Sequence, residues 1–146
     1  MKTIRTEAFI PAPPARVWAV LTDFEAYAEW NPLNIRAGGE ARPGGRIRTT
    51  FVNPAGKPGA TVTQTVTLTT FEPERALAWS GSVPLLFRGR HHFTLTPEGE
   101  GTRLLHGEDL GGLIAMTFSD AVLTGKFVPF YDAVNRALAE RVNAIR

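Results

Sequence analysis

The feature that most constrains this chain is a change of hydrophobic period part-way along it. Residues 34–110 read as alternating runs rich in β-branched and aromatic residues, each closed by a short turn. Residues 127–146 instead repeat apolar side chains every three or four positions, at Phe127, Phe130, Val134, Leu138, Val142 and Ile145. Alternation turns one face of a strand inward, and the three-four spacing draws an apolar stripe along a helix. A run of sequential strands closed by one amphipathic helix must bury that stripe on one face of its sheet. The class implied is α+β: a curved antiparallel sheet with the long helix against its concave face.

The strands are read as TIRTEAFI, then LNIRAGGE and RIRTTF around the turn ARPGG, then ATVTQTVTLTTF, ALAWSGS, LLFRGRHHFTLT and TRLLHGEDL. NPAGKPG is a loop, and EPER and PEGEG are turns, so the strands form a meander. After the first strand, PAPPARVWAVLTDF predicts a short helix opened by its prolines, and DFEAYAEW a second one. Trp30-Asn31-Pro32 ends it, because Pro32 cannot continue a helix and drives Asn31 to an extended backbone. Pro129 is expected in the first turn of the last helix or at a kink in a longer one.

Composition enters through what it excludes. The 146 residues suffice for one domain, 1–146, with a core of its own. The absence of cysteine rules out disulfides, thiolate metal ligands and a cysteine nucleophile. Sixteen basic residues against fourteen acidic ones give no reason to expect a nucleic-acid partner. No apolar run approaches a membrane span of roughly 18 residues, so no stable membrane insertion is expected. MKTIRTEAFI has no apolar core of the signal-peptide kind, which makes the cytoplasm the expected location. Nucleophile-elbow, phosphate-loop, dinucleotide and His-Glu-x-x-His motifs are all missing, and no cofactor is expected.

Several stretches, taken in order, resemble the START/birch-pollen-allergen-like (SRPBCC) superfamily, and its bacterial polyketide cyclase/dehydrase-like subgroup in particular. They are PAPPARVWAVLTDFEAYAEWNP, ERALAWSG, FRGRHHFTLTPEGEGTRLLHGEDLGGL and FYDAVNRALAERV, and the likeness spans the chain. The resemblance implies the helix-grip fold: a seven-stranded curved antiparallel sheet wrapped around the C-terminal helix, with two short helices after the first strand. It also implies an apolar cavity between sheet and helix. It does not choose among the superfamily's functions, which include lipid carriers, hormone receptors, polyketide cyclases and co-chaperones.

Strand parity in the hairpin 87–110 picks out the chemistry. His91, Phe93 and Leu95 share one face, and Leu104, His106, Glu108 and Leu110 share a face of the return strand. If Pro97 pairs with Thr102, then Leu95 faces Leu104, Phe93 faces His106 and His91 faces Glu108. His91, His106 and Glu108 would then form a polar cluster on an apolar wall. They satisfy one another, or leave one group free for a ligand, or act as acid and base in ring closure or dehydration. Two imidazoles and a carboxylate also make a possible zinc set, but opposed side chains more often simply hydrogen-bond, and no metal is expected.

The expected ligand-binding residues are Trp30, Phe51, Trp79, His91, Phe93, His106, Glu108, Phe127 and Tyr131. Trp30 fits a cavity wall and a core corner equally well. Gly111-Gly112 reads as a strand-to-helix turn or a gate. Arg46, Arg48, Arg88 and Arg90 fall on outward parities, a solvated face or a basic stripe. The expected function is binding of a small hydrophobic molecule as carrier or sensor, by a monomer or weak homodimer. The alternatives are a polyketide cyclase/dehydrase-like enzyme and a protein-interaction module. The last requires a filled interior and an exposed apolar patch.

Overall fold

The computed structural model of the chain describes residues 1–145; Arg146, the final residue of the helical stretch read from the sequence, lies outside the described residues. Seven strands form one antiparallel sheet: β1 (Lys2–Ile10), β2 (Asn34–Gly39), β3 (Arg46–Val52), β4 (Thr61–Glu72), β5 (Ala76–Val83), β6 (Phe87–Glu98) and β7 (Gly101–Gly111). The order β1-β7-β6-β5-β4-β3-β2 makes residues 34–111 a meander, with β1 returning to pair with β7. Register shifts at Asn34/Arg36 and Leu68/Thr70 insert bulges, which bend the sheet toward the last helix.

The β6–β7 hairpin has the expected pairing, His91 opposite Glu108, Phe93 opposite His106 and Leu95 opposite Leu104. Its turn is tighter than the PEGEG reading. The strands pair up to Glu98 and Gly101, and Gly99 takes φ 61°, which glycine adopts without strain. Pro97 is tolerated inside β6 because it lies beyond the last pair with β5, Ala76 with Thr94, so no ladder bond needs its N–H.

The first helix is α1 (Pro14–Thr22), and the second short segment, Phe24–Glu29, is a 3₁₀-helix. Asn31 then makes the corner. It is buried, and its Oδ1 accepts from the backbone N–H groups of Leu33 and Asn34, both at 2.9 Å. The last helix is longer than its apolar stripe. α2 (Asp120–Val122) leads through a π-helical turn at Leu123–Phe127 into α3 (Val128–Ala144). Pro129 has no N–H to donate and its ring crowds the carbonyl four residues back, so the widened turn sits where an α-turn would clash.

Tyr131, Val134, Asn135, Leu138 and Val142 form the buried face of α3. Ile145 does not belong to it: it follows the helix and is 49 % exposed. Phe130 is only partly buried. Arg16 closes the helix end, donating to the carbonyls of Val142 (2.7 Å) and Ile145 (3.2 Å).

Two apolar clusters result. One, built from α1, the 3₁₀ segment and the sheet, contains Ile10, Leu21, Phe24, Tyr27, Leu68, Phe93 and Leu138. The other gathers Ile4, Leu33, Leu110, Leu123, Phe127 and Tyr131. Trp30 packs against both. No helix among the described residues is long and apolar enough to cross a membrane.

Candidate functional site

Between the sheet and the last helix lies a cavity of about 430 Å³. Its walls are apolar for the most part, with Leu33, Phe51, Val66, Trp79, Leu110 and Phe127 among them. Val62, Val83 and Ile114 line it and are also exposed, which marks the mouth. There Gly112, at φ 91°, turns the chain out of β7, and the N–H groups of Leu113 and Ile114 bond to the carbonyls of Leu85 (3.2 Å) and Leu86 (2.9 Å). The glycine pair is therefore a turn, placed beside the opening. Leu85 is 88 % exposed, and Leu86, Leu113, Ile114 and Met116 add to an apolar rim.

From one wall a chain of polar side chains runs inward, built on β7, β6, α3 and β1. His91 Nδ1 is 3.0 Å from Glu108 Oε1, and Tyr131 donates its hydroxyl to the same oxygen. His91 Nε2 is 2.6 Å from His106 Nε2, and His106 Nδ1 is 2.8 Å from Asn135 Oδ1. Asn135 Nδ2 donates to Thr6 Oγ1 at 2.8 Å, and Thr6 donates to the His106 carbonyl, also at 2.8 Å. Rings pack the chain in place. Trp79 stacks on His91 at 4.8 Å, and Phe93 stacks on His106 at 4.2 Å.

Hydrogen-bond accounting fixes where the protons are. A carbonyl only accepts, so the one hydroxyl proton of Thr6 goes to His106. Asn135 must then give its N–H to Thr6 and show its Oδ1 to His106, which therefore carries its proton on Nδ1. His106 Nε2 is left as a lone pair, so His91 must donate to it from Nε2. A single further proton lies between His91 Nδ1 and Glu108 Oε1: an imidazolium beside a carboxylate, or a neutral ring beside a carboxylic acid.

Electrostatics agree with this reading. Burial, reinforced by the neighbouring His91, holds His106 well below its ordinary 6.5, so its ring is neutral. Burial, with the Glu108 charge and hydrogen bond adding to it, pushes the Tyr131 phenol well above its usual 10.0, so Tyr131 stays a donor. The ring nitrogens are thus spent on one another. Two nitrogens sharing a tetrahedral zinc at ordinary bond lengths stand about 3.3 Å apart, wider than the His91–His106 contact.

Of the nine residues expected to contact a ligand, the structure puts Phe51, Trp79, His91, Glu108, Phe127 and Tyr131 on the cavity wall. Trp30, Phe93 and His106 do not reach it. Trp30 bridges the two clusters, its ring 5.2 Å from that of Tyr27, with its Nε1 buried and unpartnered. Phe93 and His106 sit one layer behind His91, because α3 covers that end of β6 and β7. Thr6 and Asn135 escaped notice, although each is a polar residue on an apolar parity: Thr6 between Ile4 and Ile10, Asn135 beside Val134 and Leu138. Leu33, Asn34, Thr49, Gln64 and Ile114 were also missed as wall residues.

The family model described as polyketide cyclase / dehydrase and lipid transport matches residues 1–143. Among solved structures, a protein of Thermus thermophilus is 23% identical, with 98% of each chain covered and a TM-score of 0.78. The Zhui aromatase/cyclase of Streptomyces sp. R1128 is 20% identical over 97% of this chain and 93% of its own, with a TM-score of 0.74. A START superfamily protein of Mycobacterium smegmatis is 15% identical over 99% of each chain, with a TM-score of 0.78. At these identities the likeness is one of fold. Among curated proteins there is no match to this chain.

Proposed function

We propose that this chain, which belongs to the polyketide cyclase / dehydrase and lipid transport family, binds a small, largely apolar molecule in its cavity. Glu108, backed by His91 and Tyr131, holds the polar end of that molecule, and Phe51, Trp79 and Phe127 pack against its body. The observation that carries this reading is the cavity. Its volume of about 430 Å³ falls in the range of small-molecule sites, and polar groups interrupt its apolar lining at few points. A ligand burying on the order of 200 Å² of apolar surface would gain about 5 kcal/mol from that burial, before the costs of association. Phe93 and His106 act indirectly, fixing the ring of His91.

Native mass spectrometry of freshly purified protein, followed by organic extraction, tests this. A reproducible apolar adduct at one per chain is expected. Protein that arrives empty and takes up no apolar compound at micromolar concentration would defeat the reading.

A second reading, acid–base catalysis of the cyclase or dehydrase kind, is favoured by one feature, the single proton shared by His91 and Glu108 beside the cavity. On this reading Glu108→Gln removes turnover of an enolisable substrate while leaving its affinity within about tenfold. Equal turnover by the variant would dismiss it. The interaction-module reading requires a filled interior as well as an exposed apolar patch; the rim at Leu85, Leu86, Leu113, Ile114 and Met116 supplies the patch, and the cavity weighs against the reading.

A further inference from the structure

The free polar atoms of the cavity restrict its ligand further, on the premise that the cavity is the binding site. Asn34 lines it from β2 and is 4 % exposed. Its amide has one possible orientation. Thr49 Oγ1 gives its only proton to the Arg36 carbonyl at 3.2 Å, so it must accept from Asn34 Nδ2, 3.0 Å away. Asn34 Oδ1 is therefore a buried acceptor, and no described residue donates to it.

Glu108 supplies a second such acceptor from β7. Its Oε1 takes the Tyr131 hydroxyl and the proton shared with His91. Its Oε2 takes nothing, and stays an acceptor wherever the shared proton rests. Gly89 makes the room for it, since a Cβ there would lie 2.6 Å from Oε2. Among the described residues, Trp30 Nε1 is the one buried side-chain polar atom that is both sealed off and unpartnered. The free oxygens of Asn34 and Glu108 therefore open onto space, and the space beside them is the cavity. β2 and β7 stand five places apart in the sheet, so the two acceptors reach the cavity from separate strands.

Each acceptor left without a donor when the cavity fills with an apolar ligand costs about 1–3 kcal/mol. Ketones and ethers cannot answer them, because they bring only lone pairs. The indole N–H of Trp79, also on the wall and without an acceptor among the described residues, can receive a lone pair. Gln64, whose amide leans over Gly81, can turn either way. A hydroxyl both donates and accepts, and so suits all of these groups. We infer that the ligand of this cavity is an apolar molecule with hydroxyl groups toward both ends, a diol or diphenol in chemistry, held between Asn34 and Glu108.

Calorimetric titration with a homologous series of long-chain alkane-α,ω-diols tests this, run beside the matching monoalcohols, dimethyl ethers and diketones. The best diol is expected to bind about tenfold tighter than its monoalcohol and about a hundredfold tighter than its diether. Asn34→Leu should bring the diol down to the monoalcohol's affinity. Glu108→Gln puts an amide N–H where Oε2 stands, which a ketone can answer as well as a hydroxyl, and should cut the diol's advantage over the diketone about tenfold while Asn34 keeps the diol ahead; it decides the matter if the Asn34 variant fails to fold. Ethers or diketones that match the diol in the wild-type protein overturn this inference and leave the cavity's binding role intact. A series in which nothing binds overturns both.

Discussion

Glu108 owes its position to what surrounds it: two hydrogen bonds at Oε1 and open space over Gly89 for Oε2. Gly89→Ala would drive a methyl group into that space and displace the carboxylate. A loss of about 1–2 kcal/mol in urea denaturation is expected, with weaker binding of any ligand that uses Glu108. Unchanged stability and affinity would show that the carboxylate has another place to go. His106 makes stability depend on pH. Folded, its ring stays neutral well below 6.5; unfolded, it takes up a proton near 6.5. The unfolded chain therefore binds more protons on acidification, so stability is full above about 6.5 and falls as pH drops through it. His92, held down by burial in the first place, acts in the same direction. Melting temperatures should decline from neutral toward pH about 5.5, and His106→Gln should flatten most of that decline. A wild-type profile already flat would refute the neutral, buried assignment. The pairing of His91 with Glu108 was legible in the sequence because parity and one turn determine it. Thr6 and Asn135 were overlooked because each looks unremarkable until β1 and α3 are both laid against β7.

At the scale of elements, the switch of period located both the meander and the last helix. It did not carry the helical turns back to Asp120, although Leu123 stands four residues before Phe127 and both are buried, because Gly125 and Pro129 interrupt the pattern. It also overran at Ile145, since an apolar side chain at the right interval need not lie inside the helix. The π-helical turn offers a test. Gly125 lies within it, and a Cβ there would meet nothing within 4 Å. Gly125→Ala should therefore stabilise the protein by about 0.5–1 kcal/mol, by reducing the freedom of the unfolded chain. Destabilisation in a thermal melt would mean that this turn needs glycine for its backbone shape. The bulges at Asn34/Arg36 and Leu68/Thr70 left no clear trace in the sequence, although they curve the sheet over the cavity.

The whole molecule divides the space between sheet and helix in two. The end under α1 is filled by the cluster around Phe24, Tyr27 and Leu138, and the end under the π-helical turn is left open. Alternation says which side chains point inward but not whether they meet, so an empty volume has no signature in one strand. The resemblance, not the spacing, supplied the cavity. It placed Trp30 equally well on the wall or in the core, and packing against both clusters puts it in the core. Binding in the open end is the central claim. Its most direct test is calorimetric titration of an environment-sensitive apolar dye into the wild-type protein and into Val66→Phe. Val66 is a buried residue of the cavity wall, so phenylalanine there fills the cavity from within. One saturable site with a negative heat-capacity change is expected in the wild type, weakened at least about tenfold in a folded Val66→Phe. Equal binding by the two proteins, or none by the wild type, would contradict the claim.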